Sequence, residues 1–216
     1  MNYTLTDTGA SRSFPEKHPL IDGAAADGEV AVLIGVGAGS ALGKLAGREA
    51  KAAVLVELGS ECLGVHTGEE RGNEGSNVLG FARFRMGDTA PTKLVELVKQ
   101  ANTAPSAVAA AKQVLEGAGL VVAVCNDFPG RIVDRLIRPY LNAALRRLDE
   151  GLATADDMDT TLRLGLGYPE GPISLLQRTG LAAHFDATQT LYEALGDAAY
   201  APARRARVAK QRQGRS

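Results

Sequence analysis

The chain has few of the residues that hold disulfide-rich or zinc-binding proteins together. Only two of its 216 residues are cysteine, Cys62 and Cys125, and they lie on separate segments without a cluster of His and Cys at metal-ligand spacing. This pattern argues against a disulfide framework and against structural zinc. We therefore expect a protein of the reducing cytoplasm that binds no metal.

Charge and hydrophobicity exclude two further classes of partner. The 24 Lys and Arg residues nearly cancel the 25 Asp and Glu residues, so no net charge favours binding to nucleic acid or to an anionic membrane. No apolar stretch approaches the length needed to span a bilayer, and residues 1–27 lack the apolar segment of a secretory signal. The expected partner is a small molecule or another protein.

The first part of the chain shows the alternation of strands and helices that is typical of an α/β domain. Residues 1–28 are polar and interrupted by prolines and glycines, so we expect a loosely ordered tail there. Continuous aliphatic runs then predict four strands of one sheet, at 30–36, 52–56, 78–84 and 120–124. Between these strands we expect a polar connection at 64–75 and helices at 40–50, 93–101 and 105–117.

From residue 126 to residue 216 the apolar pattern is helical. Between 131 and 150, apolar residues recur at intervals of three and four, which predicts one long amphipathic helix. Thr154, followed by Asp157, has the spacing of a capping box and predicts the start of a second helix. Two more helices are expected after the turn at 165–172. The basic run at 204–216 is more typical of a solvated or frayed chain end than of a binding patch.

The helical part also contains a series of short motifs. They read DFPGRIVDRL from Asp127, PYLN from Pro139, EGLA from Glu150 and LGLGYPEGP from Leu164. This series resembles the start of the C-terminal domain of the 3-hydroxyacyl-CoA dehydrogenase family. In that family the corresponding motifs are D-x-P-G-F-I-V-N-R-L, P-Y-L-x-E-A, E-x-G-x-A and L-G-x-G-x-P-x-G-P. The resemblance is specific because several motifs match in the same order and at matching intervals.

A fainter similarity to the same family extends upstream. Residues 93–97 (KLVEL) match its K-L-V-E-V, residues 80–84 (GFARF) lie where it has G-x-H-F-F, and residues 54–60 (VLVELGS) lie where a strand ends in S-N-T-S-S. No counterpart of the family's first strand, its glycine-rich turn or the acidic residue beyond it is recognisable before Val30. The resemblance implies an α/β domain followed by an all-α domain. A truncated Rossmann-like sheet over residues 29–125 would pack on a helical domain over residues 126–216, of the type found at the C-terminus of 6-phosphogluconate dehydrogenase.

The resemblance further implies where a catalytic site would lie. In the family a His deprotonates the substrate hydroxyl, a Glu holds that His, and Ser and Asn side chains bind the reacting oxygen. Position by position, the counterparts in this chain are Glu96 for the Glu, Ser60 for the Ser and Asp134 for the Asn, and the His position falls at or beside Ala82. Alanine cannot transfer a proton, and an ionised Asp cannot donate a hydrogen bond. Ser60, Glu96 and Asp134 are therefore the expected site residues of a chain whose own catalysis is in doubt.

Two other features compete for a functional role. The glycines at 35, 37, 39 and 43 follow a predicted strand, but no choice of first glycine gives G-x-G-x-x-G. A plain strand-to-helix turn is therefore favoured over a phosphate-binding loop. The three histidines, His18, His66 and His184, are each expected to be structural or solvent-facing. Of these, His66 is the first alternative for a catalytic base.

Three functions remain open at this point. As an enzyme, the chain would oxidise a 3-hydroxyacyl-CoA to a 3-oxoacyl-CoA with NAD, in fatty-acid or aromatic-acid β-oxidation. As a binding module, it would hold an acyl-CoA without turning it over. As an interaction protein, it would be a dimerising companion of an active dehydrogenase. The resemblance implies NAD as the cofactor, no metal, and a homodimer formed through the helical domain.

Overall fold

A computed structural model describes residues 1–68, 76–87 and 89–215 of the chain. Residues 69–75 of the expected polar connection at 64–75, and Ser216 at the end of the basic run, lie outside the described residues. The chain divides into two compact units. The sheet unit comprises residues 1–85 and 91–131, and the helical unit comprises residues 86–90 and 132–216.

The sheet unit contains, in the described residues, one sheet whose strand order follows the sequence. The strands are β1 (Tyr3–Asp7), β2 (Val30–Ile34), β3 (Ala53–Glu57), β4 (Val78–Arg83), β5 (Leu94–Lys99) and β6 (Val121–Asn126). Strands β1 to β4 are parallel, β5 is antiparallel to β4, and β6 is parallel to β5. The four strands expected from aliphatic runs lie together in this sheet, so that prediction is confirmed.

Helices cover both faces of this sheet, which explains why β2 and β3 are buried along their whole length. Its helices are α1 (Pro19–Asp22), α2 (Ala38–Lys44), α3 (Gly64–Thr67) and α4 (Pro105–Gly117). Apolar residues of α1 and α4 pack on one face, and those of α2 pack on the other. The crossover connections from β1 to β2 and from β2 to β3 both lead to the next strand on the same side, but they cross opposite faces of the sheet. They therefore have opposite hands, and one of them has the rare left hand.

Strand β1 corrects the interpretation of residues 1–28 as a polar tail without a first strand. It pairs with β2 from Tyr3 opposite Val30 to Asp7 opposite Ile34. Tyr3 is buried, and its hydroxyl donates a hydrogen bond to the carbonyl of Leu20 at 2.9 Å. In doubly wound sheets of order 3-2-1-4-5-6 the first strand borders the fourth. β1 has that position if β2 is the counterpart of the fourth strand.

The prediction of a helix at 93–101 is wrong, because Leu94–Lys99 forms β5. The segment pairs with β4 on one side and with β6 on the other. Its apolar spacing fitted a short helix as well as a strand, and backbone pairing with two neighbours decided between them. The helix expected at 105–117 is confirmed as α4. The helix expected at 40–50 is replaced by α2 and a 3₁₀ turn at Arg48–Ala50.

The helical unit contains the long helix α5 (Ile132–Asp149), followed by α6 (Ala155–Leu166), α7 (Pro172–Thr179), α8 (Leu181–Leu195) and α9 (Arg204–Gln213). α5 is continuous as predicted, although Pro139 lies inside it. A proline has no N–H, so the carbonyl of Arg135 loses its helical partner. The hydroxyl of Tyr200 donates to that carbonyl instead, at 3.0 Å. The predicted cap is confirmed, since Thr154 accepts a hydrogen bond from the N–H of Asp157.

The buried face of α5 differs from the one that its apolar pattern suggests. Leu136 is 73% exposed, whereas Arg138 and Asn142 are fully buried beside Leu141 and Leu145. Polar side chains therefore lie inside this unit. The basic run, expected to be a solvated or frayed end, forms α9 over most of its length. Among the described residues, no helix has both the length and the apolar character needed to cross a membrane.

Candidate active site

The sheet unit places Ala82 directly opposite Glu96. β4 and β5 are antiparallel, and their register pairs these two residues. Side chains that face each other in this way have Cβ atoms about 4.5–5.5 Å apart. Glu96 is 1% exposed. The structure thus brings together two positions that were assigned from separate motifs, but the methyl group of Ala82 offers Glu96 neither a donor nor an acceptor.

Ser60 also lies in the sheet unit, just after the end of β3. It is partly exposed, and its carbonyl accepts a hydrogen bond from the N–H of Gly130 at 2.7 Å. This bond ties the end of β3 to the segment that follows β6. Ser60, Ala82 and Glu96 therefore belong to one unit, whereas Asp134 belongs to the other.

Asp134 lies in the first turn of α5 and is bonded to a buried arginine. The Nε of Arg138 donates to its Oδ1 at 2.8 Å, across one helical turn. The Arg138 side chain is 1% exposed and the Asp134 side chain 22% exposed. Another guanidinium nitrogen of Arg138 lies 3.1 Å from Nδ1 of His184 on α8. At the position that the resemblance assigns to a neutral Asn, this chain therefore has a salt bridge with one fully buried member.

The other side of His184 is bound by Asn142, and this fixes its tautomer. The Asn142 amide nitrogen donates to the carbonyl of Ala199, so its Oδ1 is free to accept. That Oδ1 lies 3.0 Å from Nε2 of His184, which must donate to it. Nδ1 then accepts from Arg138, which can only donate. Burial, and then the nearby charge of Arg138, lower the pKa of His184 to about 3, so the ring is neutral at physiological pH.

The glycine cluster forms a strand-to-helix turn, as predicted. Gly35 has a φ of +92°, and α2 begins after Gly37. The N–H of Gly35 donates to the carboxylate of Glu57 at 2.6 Å, and the N–H of Gly37 donates to the hydroxyl of Thr8 at 3.1 Å. Amides that would contact a phosphate in a dinucleotide loop are thus bonded to the protein's own side chains. These residues do not fit a dinucleotide phosphate at this turn.

A cavity of about 170 Å³ opens at the carboxyl ends of β2 and β3. Its polar lining includes Arg12, Glu57, Glu61 and His66. The Nε2 of His66 lies 3.5 Å from Oε1 of Glu61 and makes no hydrogen bond. Clefts at the carboxyl ends of parallel strands are common ligand sites. His66 is therefore the histidine of the sheet unit that is placed to meet a ligand.

The two other histidines have structural roles, as expected. His18 caps α1, because its Nδ1 accepts a hydrogen bond from the N–H of Leu20 at 3.1 Å. Burial lowers the pKa of His18, and the charge of Arg83 lowers it further. His184 is buried in the network of the helical unit. Within the described ranges, no group of three or more His, Cys, Asp or Glu residues could hold a metal ion.

Sequence reasoning missed Arg138, Asn142 and Glu57 as polar residues inside the protein. Arg138 and Asn142 are four residues apart, so their shared helix face was visible in the sequence. Their partner His184, 42 positions after Asn142, was not. Glu57 is buried at the end of β3 and accepts hydrogen bonds from Ser11, from the N–H of Ser13 and from Gly35. The only sequence feature that pointed to the burial of Glu57 was the presence of a charged residue at the end of an aliphatic strand.

Comparison with known proteins shows which parts of the chain have relatives. The model of the 3-hydroxyacyl-CoA dehydrogenase C-terminal domain matches residues 130–216. A 3-hydroxybutyryl-CoA dehydrogenase of Bradyrhizobium diazoefficiens is 36% identical over 110 residues, which are 51% of this chain and 38% of that protein. The mitochondrial hydroxyacyl-coenzyme A dehydrogenase of Homo sapiens is 40% identical over 102 residues, 47% of this chain and 32% of that protein. The chain therefore aligns with less than half of the length of these relatives.

Solved structures resemble a larger part of the chain. FadB2 of M. tuberculosis has a TM-score of 0.68 at 22% identity, covering 87% of this chain and 67% of that one. The (S)-3-hydroxybutyryl-CoA dehydrogenase PaaH1 of Ralstonia eutropha has a TM-score of 0.67 at 21% identity, covering 83% and 64%. At such identities the similarity shows the fold alone, a Rossmann-like sheet followed by helices, and it confirms the predicted fold class. Residues 130–216 are therefore similar to the C-terminal domain of the 3-hydroxyacyl-CoA dehydrogenase family.

Proposed function

We propose that this chain is a 3-hydroxyacyl-CoA dehydrogenase-like protein that binds an acyl-CoA-type ligand but does not oxidise it. The observation that carries this proposal is the pairing of Ala82 with Glu96. By resemblance, Ala82 is the position of the proton-accepting His, and Glu96 is the position of the Glu that holds it. The register supports that assignment, and the alanine removes the group that the chemistry needs.

Oxidation of a 3-hydroxyl group requires its proton to leave as the carbonyl forms. General-base help of this kind is worth about a hundredfold to ten-thousandfold in rate. At Asp134, a carboxylate would also face the negative charge that develops on the oxygen, where a hydrogen-bond donor would stabilise it. Both substitutions therefore raise the barrier to reaction, while neither prevents an acyl-CoA from binding.

The cofactor and the partners follow from the resemblance. NAD(H) is the cofactor that the family implies, but the turn after β2 offers it no free Gly35 or Gly37 amide. We propose a homodimer formed through the helical unit and, as a further partner, an active dehydrogenase. Leu136, Leu164 and Leu166 support an interface there, because each is at least 66% exposed. Cys62 and Cys125 are both free thiols, which fits a cytoplasmic location.

Calorimetric titration of the purified chain with 3-hydroxybutyryl-CoA, with and without NAD, tests the binding part of the proposal. We expect saturable binding of the thioester and no formation of NADH. Absence of binding to any acyl-CoA would contradict the proposal. For the dimer, sedimentation at micromolar concentration is expected to give a species heavier than the 22.5 kDa chain, and a monomer alone would contradict it.

His66 gives a second candidate function, an enzyme with a relocated base. It lines the cavity at the ends of β2 and β3, and Glu61 lies within 3.5 Å of its Nε2. If wild type oxidises 3-hydroxybutyryl-CoA, the change His66→Gln separates the two candidates. Loss of at least a hundredfold in rate would favour the relocated base. An unchanged rate would exclude His66 from the reaction.

A further inference from the structure

The hydrogen-bonded side chains of Asn142, His184 and Arg138, which end at Asp134, have fixed donor and acceptor roles. Asn142 is oriented by its bonds to the carbonyl of Ala199 and the N–H of Ala203. It therefore accepts from Nε2 of His184, and the other ring nitrogen accepts from Arg138. At the end of this series of hydrogen bonds, Arg138 donates to Asp134.

The donor role of Arg138 determines the charge and the hydrogen bonding of Asp134. The guanidinium is 1% exposed and cannot lose its proton, so it requires an anionic neighbour. Asp134 is that neighbour, and 22% of its side chain remains exposed. The group exposed at this position is thus a carboxylate, which accepts hydrogen bonds and cannot donate them. The positive charge of Arg138 lies beneath it, out of reach of solvent.

A hydroxyl and a ketone interact with such a carboxylate in opposite ways. A hydroxyl donates a hydrogen bond to it, and bonds to a charged acceptor are the stronger ones. A ketone oxygen has only lone pairs, so it places its own negative charge against that of Asp134. An Asn side chain, by contrast, can rotate to donate to either group.

We propose that Asp134, held by Arg138, is a specificity-determining residue that selects 3-hydroxyacyl thioesters over 3-oxoacyl thioesters. This inference rests on the proposed function, in which Asp134 is at the position that binds the 3-oxygen. The preference is at least about tenfold in Kd, the ratio that one hydrogen bond to a charged group supports. The chain would then retain the hydroxy compound and release the oxo compound.

The test compares three thioesters by calorimetry: 3-hydroxybutyryl-CoA, acetoacetyl-CoA and butyryl-CoA, which has no 3-oxygen. In wild type we expect the hydroxy compound to bind at least about tenfold more tightly than the oxo compound, with butyryl-CoA between them. The variant Asp134→Asn leaves Arg138 without an anion and is at risk of misfolding, so the double variant Asp134→Asn with Arg138→Leu is measured as well. In that double variant the preference is expected to fall below about threefold. Asp156→Asn, an exposed change on α6, is the matched control and keeps the wild-type preference.

The possible failures can be told apart. If wild type binds the hydroxy and oxo thioesters equally, the inference is wrong while acyl-CoA binding stands. If it binds none of the three, the proposed function is wrong and the inference fails with it. If the folded double variant keeps the full wild-type preference, Asp134 is not the residue that selects.

Discussion

By resemblance, Ala82 in the sheet unit and Asp134 in the helical unit both depart from the family motifs, and their surroundings in the structure differ. Ala82 presents only a methyl group to the buried Glu96. Asp134 is embedded in hydrogen bonds, because Arg138 binds it and is bound in turn to His184. Asp134 thus has a charged hydrogen-bond partner, whereas Ala82 has no side-chain group that could exchange a proton. This contrast supports the proposal that the chain binds its ligand without oxidising it.

The largest effect on stability is expected when the salt bridge between Asp134 and Arg138 is broken. Asp134→Ala leaves the guanidinium of Arg138 buried without an anion, and an unpaired buried charge costs about 3–5 kcal/mol. We expect the free energy of unfolding, measured in urea, to fall by that amount. Adding Arg138→Leu removes the stranded charge and is expected to recover at least half of the loss. Additive losses in the double variant would show that the two residues do not form a coupled pair.

A second test of the helical unit uses pH. The pKa of His184 is lowered to about 3, chiefly by burial, against about 6.5 in the unfolded chain. The unfolded state therefore binds the extra proton first. The contribution of the neutral ring is fully present above pH 6.5 and is lost toward pH 3 at about 1.4 kcal/mol per unit.

At pH 5 the loss of stability attributed to His184 is about 2 kcal/mol. The matched variant is His184→Gln, whose amide can still accept from Arg138 and donate to Asn142 but does not titrate. Urea denaturation of both proteins at pH 7 and pH 5 gives the difference. Equal pH dependence in wild type and variant would mean that His184 is not buried as a neutral ring.

The smallest effect concerns the sheet unit. Ala82→His would place an imidazole opposite Glu96, and a neighbouring carboxylate raises the pKa of the ring by about one unit. The resulting stability, about 1.4 kcal/mol, is present below pH 6.5 and is lost as the pH rises through the raised pKa. NMR titration of the new ring measures this shift, with Ala82→His plus Glu96→Gln as the control. An unshifted pKa in the single variant would show that residue 82 and Glu96 do not interact.

The sequence predicted elements whose signal is local. The aliphatic run of β2 and the capping pair at Thr154 are examples, and both lie where expected. Two predictions were wrong, and both concern segments whose secondary structure depends on pairing with residues distant in the sequence. β5 has a spacing that also fits a helix, and only its neighbours β4 and β6 make it a strand. β1 is too polar to stand out, yet Tyr3 and its pairing with β2 anchor it.

For the candidate site, the sequence could align residues with motifs but could not show their surroundings. The motif match put Ala82 and Glu96 in the same site, and the strand register supports that pairing. It did not predict Arg138 as the partner of Asp134, although the two are one helical turn apart. The reason is that a charged residue at that spacing is usually solvated, and its burial depends on His184 from another helix.

The central claim is that the chain holds its ligand without oxidising it, and one rate measurement tests this most directly. Purified wild type is mixed with saturating 3-hydroxybutyryl-CoA and NAD, and NADH formation is followed, with the reverse reaction on acetoacetyl-CoA as a check. Because Ala82 cannot accept the proton, we predict no turnover above the rate without protein. Turnover at rates ordinary for enzymes, on the order of ten per second, would contradict the account.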